Sequence, residues 1–198
     1  MVFEHAIALT GGIATGKSTT ADMLHEYGFK IIDSDVIAHN NLQEYSSLVS
    51  TMFGSEYVDE GIVNRKRLGK YLFANKSELK RLENFLHPLI HEEIKRKSVV
   101  NEEKEKTYFI DIPLFFENSN YLDIKTSICV YAPKEIQIER MMIRDNLSLE
   151  EIHQRLDAQI DIEEKKTLAD YIIDNSKDTM HLDQEISKFI NKLYLIAE

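Results

Sequence analysis

The chain of 198 residues holds one cysteine. A single thiol excludes an internal disulfide framework and a zinc site built on cysteines. Cys129 lies in the run Ser127-Ile128-Cys129-Val130-Tyr131, where a small buried apolar role is expected of it. No apolar run approaches the span of a bilayer, and no basic segment followed by a long apolar stretch opens the chain. The expected location is therefore cytoplasmic, with no membrane partner. Positive charge is scarce as well: 24 Lys and Arg face 34 Asp and Glu, a net charge of −10. That balance argues against non-specific nucleic-acid binding. A polyphosphate site in such a protein has to gather its cations locally. Repeats, low-complexity tracts and Gly/Ser linkers are missing too, so composition marks no domain boundary. With 43% hydrophobic and 29% charged residues, the chain reads as one globular unit with a sizeable core.

What is present centres on Gly11-Gly12-Ile13-Ala14-Thr15-Gly16-Lys17-Ser18. This stretch fits the phosphate-binding loop G-x-x-x-x-G-K-[ST] at every position. Ala6-Ile7-Ala8-Leu9 before it reads as a buried strand, and Thr19 to Tyr27 after it as a helix with Met23, Leu24 and Tyr27 as its apolar stripe. Backbone N–H groups of such a loop form an anion cradle at the positive end of the helix dipole. Gly16 admits the main chain close to the phosphates, Lys17 reaches the β- and γ-phosphates, and the Ser18 hydroxyl ligates Mg²⁺.

A second short strand, Phe29 to Ile32, ends at Asp33-Ser34-Asp35. Ligands collect beyond the carboxyl ends of strands in a parallel sheet, which makes Asp33 a catalytic candidate; an N-cap for the next helix is the plainer use of the pair. From Val36 to about Lys97 the pattern is mostly helical, with one stripe of Leu68, Leu72 and Phe73 and another of Leu79, Leu82, Phe85, Leu86, Leu89 and Ile90. The stretch is too long for a crossover helix and reads as a helical insertion for a second substrate. It carries the basic run from Arg65 and the pair His87-Pro88. Asn101 to Lys106 reads as a charged turn, and Thr107 to Pro113 as a buried strand with Asp111 near its end. Further strands are expected over Lys125 to Tyr131 and Tyr171 to Asp174, and a helix over Pro133 to Arg144. Ser148-Leu149-Glu150-Glu151 is a capping box that opens another helix. Arg140, Arg144 and Arg155 flank the turn between these helices, the layout of a lid over phosphates. Leu182, Ile186, Phe189, Ile190 and Leu193 define a closing amphipathic helix. Strands alternating with helices imply a three-layer α/β architecture around a parallel sheet.

Two classes compete for the phosphate loop: a small-molecule kinase and a nucleotide-dependent switch. A guanine-specific switch needs Asn-Lys-x-Asp, and the nearest match, Asn75-Lys76-Ser77-Glu78, has the wrong last residue. A kinase needs a phosphate cradle, a general base, a lid with arginines and an acceptor site, and each has a candidate.

These residues resemble a known family. Leu9-Thr10-Gly11-Gly12-Ile13, the loop, Asp33-Ser34-Asp35-Val36-Ile37-Ala38, His87-Pro88-Leu89-Ile90, Pro113-Leu114-Phe115-Phe116-Glu117-Asn118, Arg155-Leu156-Asp157-Ala158-Gln159 and Ala169-Asp170-Tyr171-Ile172-Ile173-Asp174-Asn175 resemble the dephospho-coenzyme A kinases, in the same order over nearly the whole chain. The resemblance implies ATP-dependent phosphorylation of the ribose 3′-hydroxyl of dephospho-coenzyme A, with ATP and Mg²⁺ as cofactors; a kinase of another acceptor, such as a nucleoside monophosphate, is the alternative. It implies a P-loop kinase fold with a mainly parallel five-stranded sheet. The core is expected over 1–35, 105–139 and 168–198, the substrate domain over about 36–104, and the lid over about 140–167. Asp33 matches the general base, with Lys17 and Arg140 as its catalytic companions. Ala14, Thr15, Gly16, Lys17, Ser18, Thr19, Arg140 and Asn175 fall to ATP. Thr10, Asp33, Asp35, His39 and Arg65 fall to the acceptor, as do His87, Pro88, Leu114 and Glu117. A monomer or weak homo-oligomer is expected. Three positions depart from the family pattern: Ala14 replaces a glycine, Ser34 an alanine, and His39 an arginine. A positive φ at Ala14 would strain it.

Overall fold

The computed structural model describes residues 3–117, 121, 123–145 and 147–196. Asn118, in one of the family-like blocks, lies outside the described residues. By its internal contacts the chain divides into two compact units, Met1–Ile32 with Ser98–Glu198, and Asp33–Lys97.

The first unit is built on a five-stranded sheet in the order β2-β5-β1-β6-β7. Its strands are β1 (Phe3–Gly11), β2 (Lys30–Asp33), β5 (Tyr108–Asp111), β6 (Ile124–Tyr131) and β7 (Tyr171–Asp174). β1 pairs in parallel with β5, with Leu9 opposite Asp111, and with β6, which itself pairs in parallel with β7. Six successive residues of β1, Ala6 to Gly11, are buried, as a strand covered on both faces demands. Because β1 is central, the chain leaves its carboxyl end at the place where the strand order reverses, the position at which open α/β sheets bind ligands.

One face of the sheet is covered by α1 (Lys17–Glu26) and α9 (Thr179–Ile196). Their buried residues Ala21, Leu24, Leu182, Ile186 and Phe189 join Ile7, Leu9, Phe109, Ile128, Val130 and Ile173 in one apolar cluster. Phe109 lies at its centre, in edge contact with Phe29 at 5.2 Å and tilted against Phe189 at 6.2 Å. The remaining helices of this unit are α6 (Lys134–Asp145), α7 (Leu149–Asp157) and α8 (Ile162–Leu168).

The second unit holds α2 (Ser34–Glu44), α3 (Ser46–Phe53), the small hairpin β3 (Val58–Asp59) and β4 (Ile62–Val63), α4 (Arg65–Ala74) and most of α5 (Lys76–Glu103). The hairpin falls inside a stretch that reads as helical from its sequence. Its strands have two residues each, too few to show alternation, and it turns on Glu60 and Gly61 with φ of 49° and 82°. α5 runs on to Glu103, through the first half of the expected turn, and carries Pro88 within it.

Two apolar stripes lose their ends. Phe73 is 85% exposed and Tyr27 45% exposed. Tyr27 spends its hydroxyl on Asp183 and Ser187 of α9 instead of burying its ring. Cys129 is buried, and burial pushes its thiol up to about 11.

The capping box of α7 forms as its sequence predicts: Ser148 Oγ accepts from Glu151 N, and Glu151 Oε2 accepts from Ser148 N at 2.9 Å. The Ser148 amide and hydroxyl hold the Glu151 carboxyl below its usual range. A carboxyl lowered by folding stabilises the fold above its unfolded pKa, about 4.3, and loses that contribution as pH falls through its folded value. Glu151→Gln is therefore expected to lower Tm at pH 7, with the difference from the parent shrinking at pH 3. Thermal unfolding at the two pH values checks it.

Candidate active site

β1 ends at Gly11 and α1 begins at Lys17, so five residues turn the chain from strand to helix. Two of them adopt left-handed backbone, Ala14 at φ 59° and Gly16 at φ 91°. A Cβ at Gly16 would collide with the side-chain amide of Asn175, which restricts the position to glycine. Ala14 tolerates the same region at a cost of about 1–2 kcal/mol. α1 starts without a side-chain cap and without an acidic residue in its first turn. The N–H groups of that turn have no intrahelical acceptors, and the dipole adds positive potential, so this end is built for an anion.

The loop's carbonyls are held on the opposite side. Arg140 Nη1 donates to Ala14 O at 3.3 Å and Thr15 O at 3.2 Å, while its Nη2 donates to Asn175 O at 2.8 Å. Asn175 Nδ2 also donates to Thr15 O, at 2.7 Å. In a trans peptide the C=O and the following N–H point in opposite directions. Fixing the Thr15 carbonyl therefore aims the Gly16 N–H away from Arg140 and Asn175. The front of the loop is braced in the same manner. Thr15 Oγ1 donates to Gly12 O at 2.9 Å, and Ile13 N donates to Gln159 Oε1 at 3.0 Å.

Lys17 Nζ forms an ion pair with Asp111 Oδ1 at the end of β5. Asp111 is 5% exposed, and Ser18, next in the first turn, is exposed. A hydroxyl and a carboxylate make a hard oxygen donor set. They suit Mg²⁺, which keeps several waters and takes only one or two protein ligands beside substrate phosphates. Among the described residues no group of three His, Cys, Asp or Glu is placed to hold a metal ion.

A cavity of about 460 Å³ opens behind the loop, lined among others by Ala14, Gly16, Thr19, Arg140 and Asn175. Arg140 thus faces the loop and the cavity; Arg144 also lines the cavity but pairs with Asp145 at 2.8 Å, as Arg155 does at 3.8 Å. Thr10 is fully buried and donates to Pro113 O at 3.1 Å. Leu114 is 44% exposed in the turn after β5. Glu117, in the same turn, accepts from Ile160 N at 3.1 Å and pairs with Lys165 at 2.7 Å. Lys165 has no signal in the sequence, where Lys165-Lys166 reads as surface charge, yet it is 0% exposed.

The remaining candidates belong to the second unit. Asp33 closes β2 and caps α2, its Oδ1 accepting from Val36 N at 2.9 Å. Asp35 and His39 are exposed and stand one turn apart on α2, hence on one face. Arg65 is the exposed first residue of α4, while His87 and Pro88 fall in α5.

A mostly parallel sheet with an anion-binding loop at the end of its central strand, and a lysine opening the next helix, defines a phosphate-loop kinase. The shikimate kinase of Acinetobacter baumannii shares this fold, with a TM-score of 0.52 at 16% identity over 98% of this chain and 94% of that one. More specifically, the chain belongs to the dephospho-CoA kinase family, whose family model matches residues 5–181. The dephospho-CoA kinase of Helicobacter pylori (strain J99) is 47% identical over 195 residues, covering 98% of this chain and all of that protein. A solved structure of the dephospho-CoA kinase from Campylobacter jejuni matches with a TM-score of 0.76 at 40% identity, covering 96% of each chain.

Ala14 provides the test of the loop's strain. Ala14→Gly is expected to raise unfolding free energy by about 1 kcal/mol, because relief of the left-handed Cβ exceeds the added freedom of the unfolded chain. Urea unfolding checks it; a decrease would show that the φ of 59° carries no strain.

Proposed function

We propose that this protein transfers the γ-phosphoryl group of ATP to the ribose 3′-hydroxyl of dephospho-coenzyme A, giving coenzyme A and ADP. This is the last step of coenzyme A synthesis. Family membership supports the acceptor. The observation that carries phosphoryl chemistry is the loop whose Thr15 carbonyl is pinned outward by Arg140 and Asn175. Such a loop presents its amides to phosphates without reorganising when they arrive.

Phosphoryl transfer needs positioning and charge neutralisation more than covalent chemistry. In this reading the Gly16 amide, the first turn of α1 and Lys17 hold the β- and γ-phosphates. Arg140 adds its charge from behind the loop. The cavity lined by Ala14, Gly16, Thr19 and Asn175 takes the nucleoside of ATP. Ser18 with Asp111 would hold Mg²⁺, which would supply charge neutralisation at the phosphates. Lys17 exchanges its partner Asp111 for phosphate as the nucleotide enters. Asp33 caps α2 through Oδ1 and accepts the proton of the 3′-hydroxyl on Oδ2. Asp35, His39, Arg65, His87 and Pro88 contribute to the acceptor site, as does the turn carrying Leu114. Thr10 and Glu117 support that turn from within. His39 is a weaker phosphate partner than an arginine would be, because it lacks the bidentate guanidinium fork. The same reading places the protein in the cytoplasm as a monomer or weak homo-oligomer, with no nucleic-acid partner.

Incubation with ATP, Mg²⁺ and dephospho-coenzyme A is expected to yield coenzyme A by mass spectrometry. Phosphorylation of a nucleoside monophosphate or of shikimate in its place would move the acceptor assignment. Hydrolysis of ATP with no phosphorylated acceptor would favour a switch. Asp33→Asn is expected to keep ATP binding and lose about 10²–10⁴-fold in kcat, the usual contribution of a general base. Near-normal turnover in that variant removes Asp33 from the mechanism. Lys17→Ala is expected to lose ATP-dependent turnover; if it does not, the loop is not the donor site.

A further inference from the structure

We propose that Lys165 is a positioning residue for the phosphate loop: it ties the end of β1 to the turn after β5 and serves loop geometry rather than the stability of the fold as a whole. The inference rests on the reading of the loop as the ATP site. Lys165 belongs to α8, far from the loop in sequence, and is 0% exposed. Its ammonium has three N–H donors and meets three acceptors: Gly11 O at 3.2 Å, Pro113 O at 3.3 Å and Glu117 Oε1 at 2.7 Å.

Each acceptor is a joint of the site. Gly11 is the last residue of β1 and the first of the loop. Pro113 lies two residues after Asp111, the partner of Lys17, and its carbonyl also accepts from Thr10 at 3.1 Å. Glu117 closes the turn and, through the same Oε1, accepts from Ile160 N at 3.1 Å. One residue earlier, Gln159 accepts from Ile13 N in the middle of the loop. The segment from Gln159 to Lys165 therefore grips the loop at its entry and its middle, and grips the strand end that bears Asp111. A buried ion pair is weak evidence for stability, because replacing both partners by neutral residues of similar volume is often harmless. What neutral residues cannot replace is the pair of N–H donors to Gly11 O and Pro113 O. Without them Pro113 O keeps the Thr10 hydroxyl as its donor, and a trans peptide carries the Gly12 N–H round with any rotation of the Gly11 C=O.

Lys165→Met alone leaves the Glu117 carboxylate without its cation, which destabilises the fold and confounds any activity loss. The test is therefore the double variant Lys165→Met/Glu117→Gln beside the parent and Glu117→Gln alone. Three quantities are read: thermal unfolding, the Kd of a fluorescent ATP analogue without acceptor, and steady-state constants with dephospho-coenzyme A. The double variant is expected to fold, and to lose roughly 10²-fold in kcat/KM for ATP, the size of loss from displacing a reacting group by about 1 Å. Its ATP-analogue Kd is expected to rise beyond that of Glu117→Gln alone, while its KM for dephospho-coenzyme A matches that of Glu117→Gln within about twofold, a split that a general loosening of the fold would not produce. A folded double variant with unchanged ATP constants overturns the proposal. Equal loss toward both substrates overturns it, and so does failure of the double variant to fold, since either makes Lys165 a stability residue. If the parent itself binds no ATP analogue, the nucleotide reading of the loop fails instead.

Discussion

A phosphate loop has to turn its amides toward the ligand, and peptide planarity then sends its carbonyls the other way. Those carbonyls need donors of their own, because a buried C=O without a partner is costly. In this protein the donors come from distant parts of the chain. Arg140 and Asn175 serve Ala14 and Thr15, Thr15 serves Gly12, and Lys165 serves Gly11. Gly16 is glycine for the same reason, since the Asn175 amide occupies the space of its Cβ. The α6 arginine, the residue after β7 and the α8 lysine share one task, which explains why a loop of five residues requires supports spread over most of the first unit.

That division of labour also resolves the charge problem of an acidic protein. The net charge is −10, yet Lys17, Arg140 and Lys165 gather about one loop. Among the described residues, Lys17 and Lys165 are balanced by carboxylates, Asp111 and Glu117. The hydrogen bonds of Arg140 on the loop side run to the neutral carbonyls of Ala14, Thr15 and Asn175, so its positive charge is left to act on whatever the loop binds. Positive potential is thus local and arranged by packing, and exposed acidic charges more than a Debye length away, about 10 Å at ordinary salt, are largely screened from it.

The legible parts of the sequence were those whose physics is local. The loop, the capping box at Ser148 and the strand Tyr171–Asp174 each depend on residues within a few positions of one another, and each formed where its sequence placed it. Phe73 and Tyr27 failed as core residues because periodicity identifies a face but not where the partner surface beneath it ends. The hairpin at Val58–Val63 failed because two-residue strands carry no period. In the site, Lys17 was legible from its motif, whereas its pairing with Asp111 depended on strand register. Lys165 was illegible altogether: side by side with Lys166 it reads as solvent-facing charge, and only the fold puts one of the two in the interior.

The Lys17–Asp111 pair shows why the second strand end matters as much as the loop. A half-buried lysine gains from a counter-ion, and the register of β1 against β5 supplies one by placing Asp111 opposite Leu9, two residues before Gly11. On the proposed function, Lys17 would exchange that carboxylate for phosphate and leave Asp111 for a cation. The exchange works only if the end of β5 keeps its distance from the loop. Thr10 to Pro113 O and Lys165 to both strand ends are the contacts that set that distance. The chemistry assigned to the loop is therefore a property of two strand ends held in register.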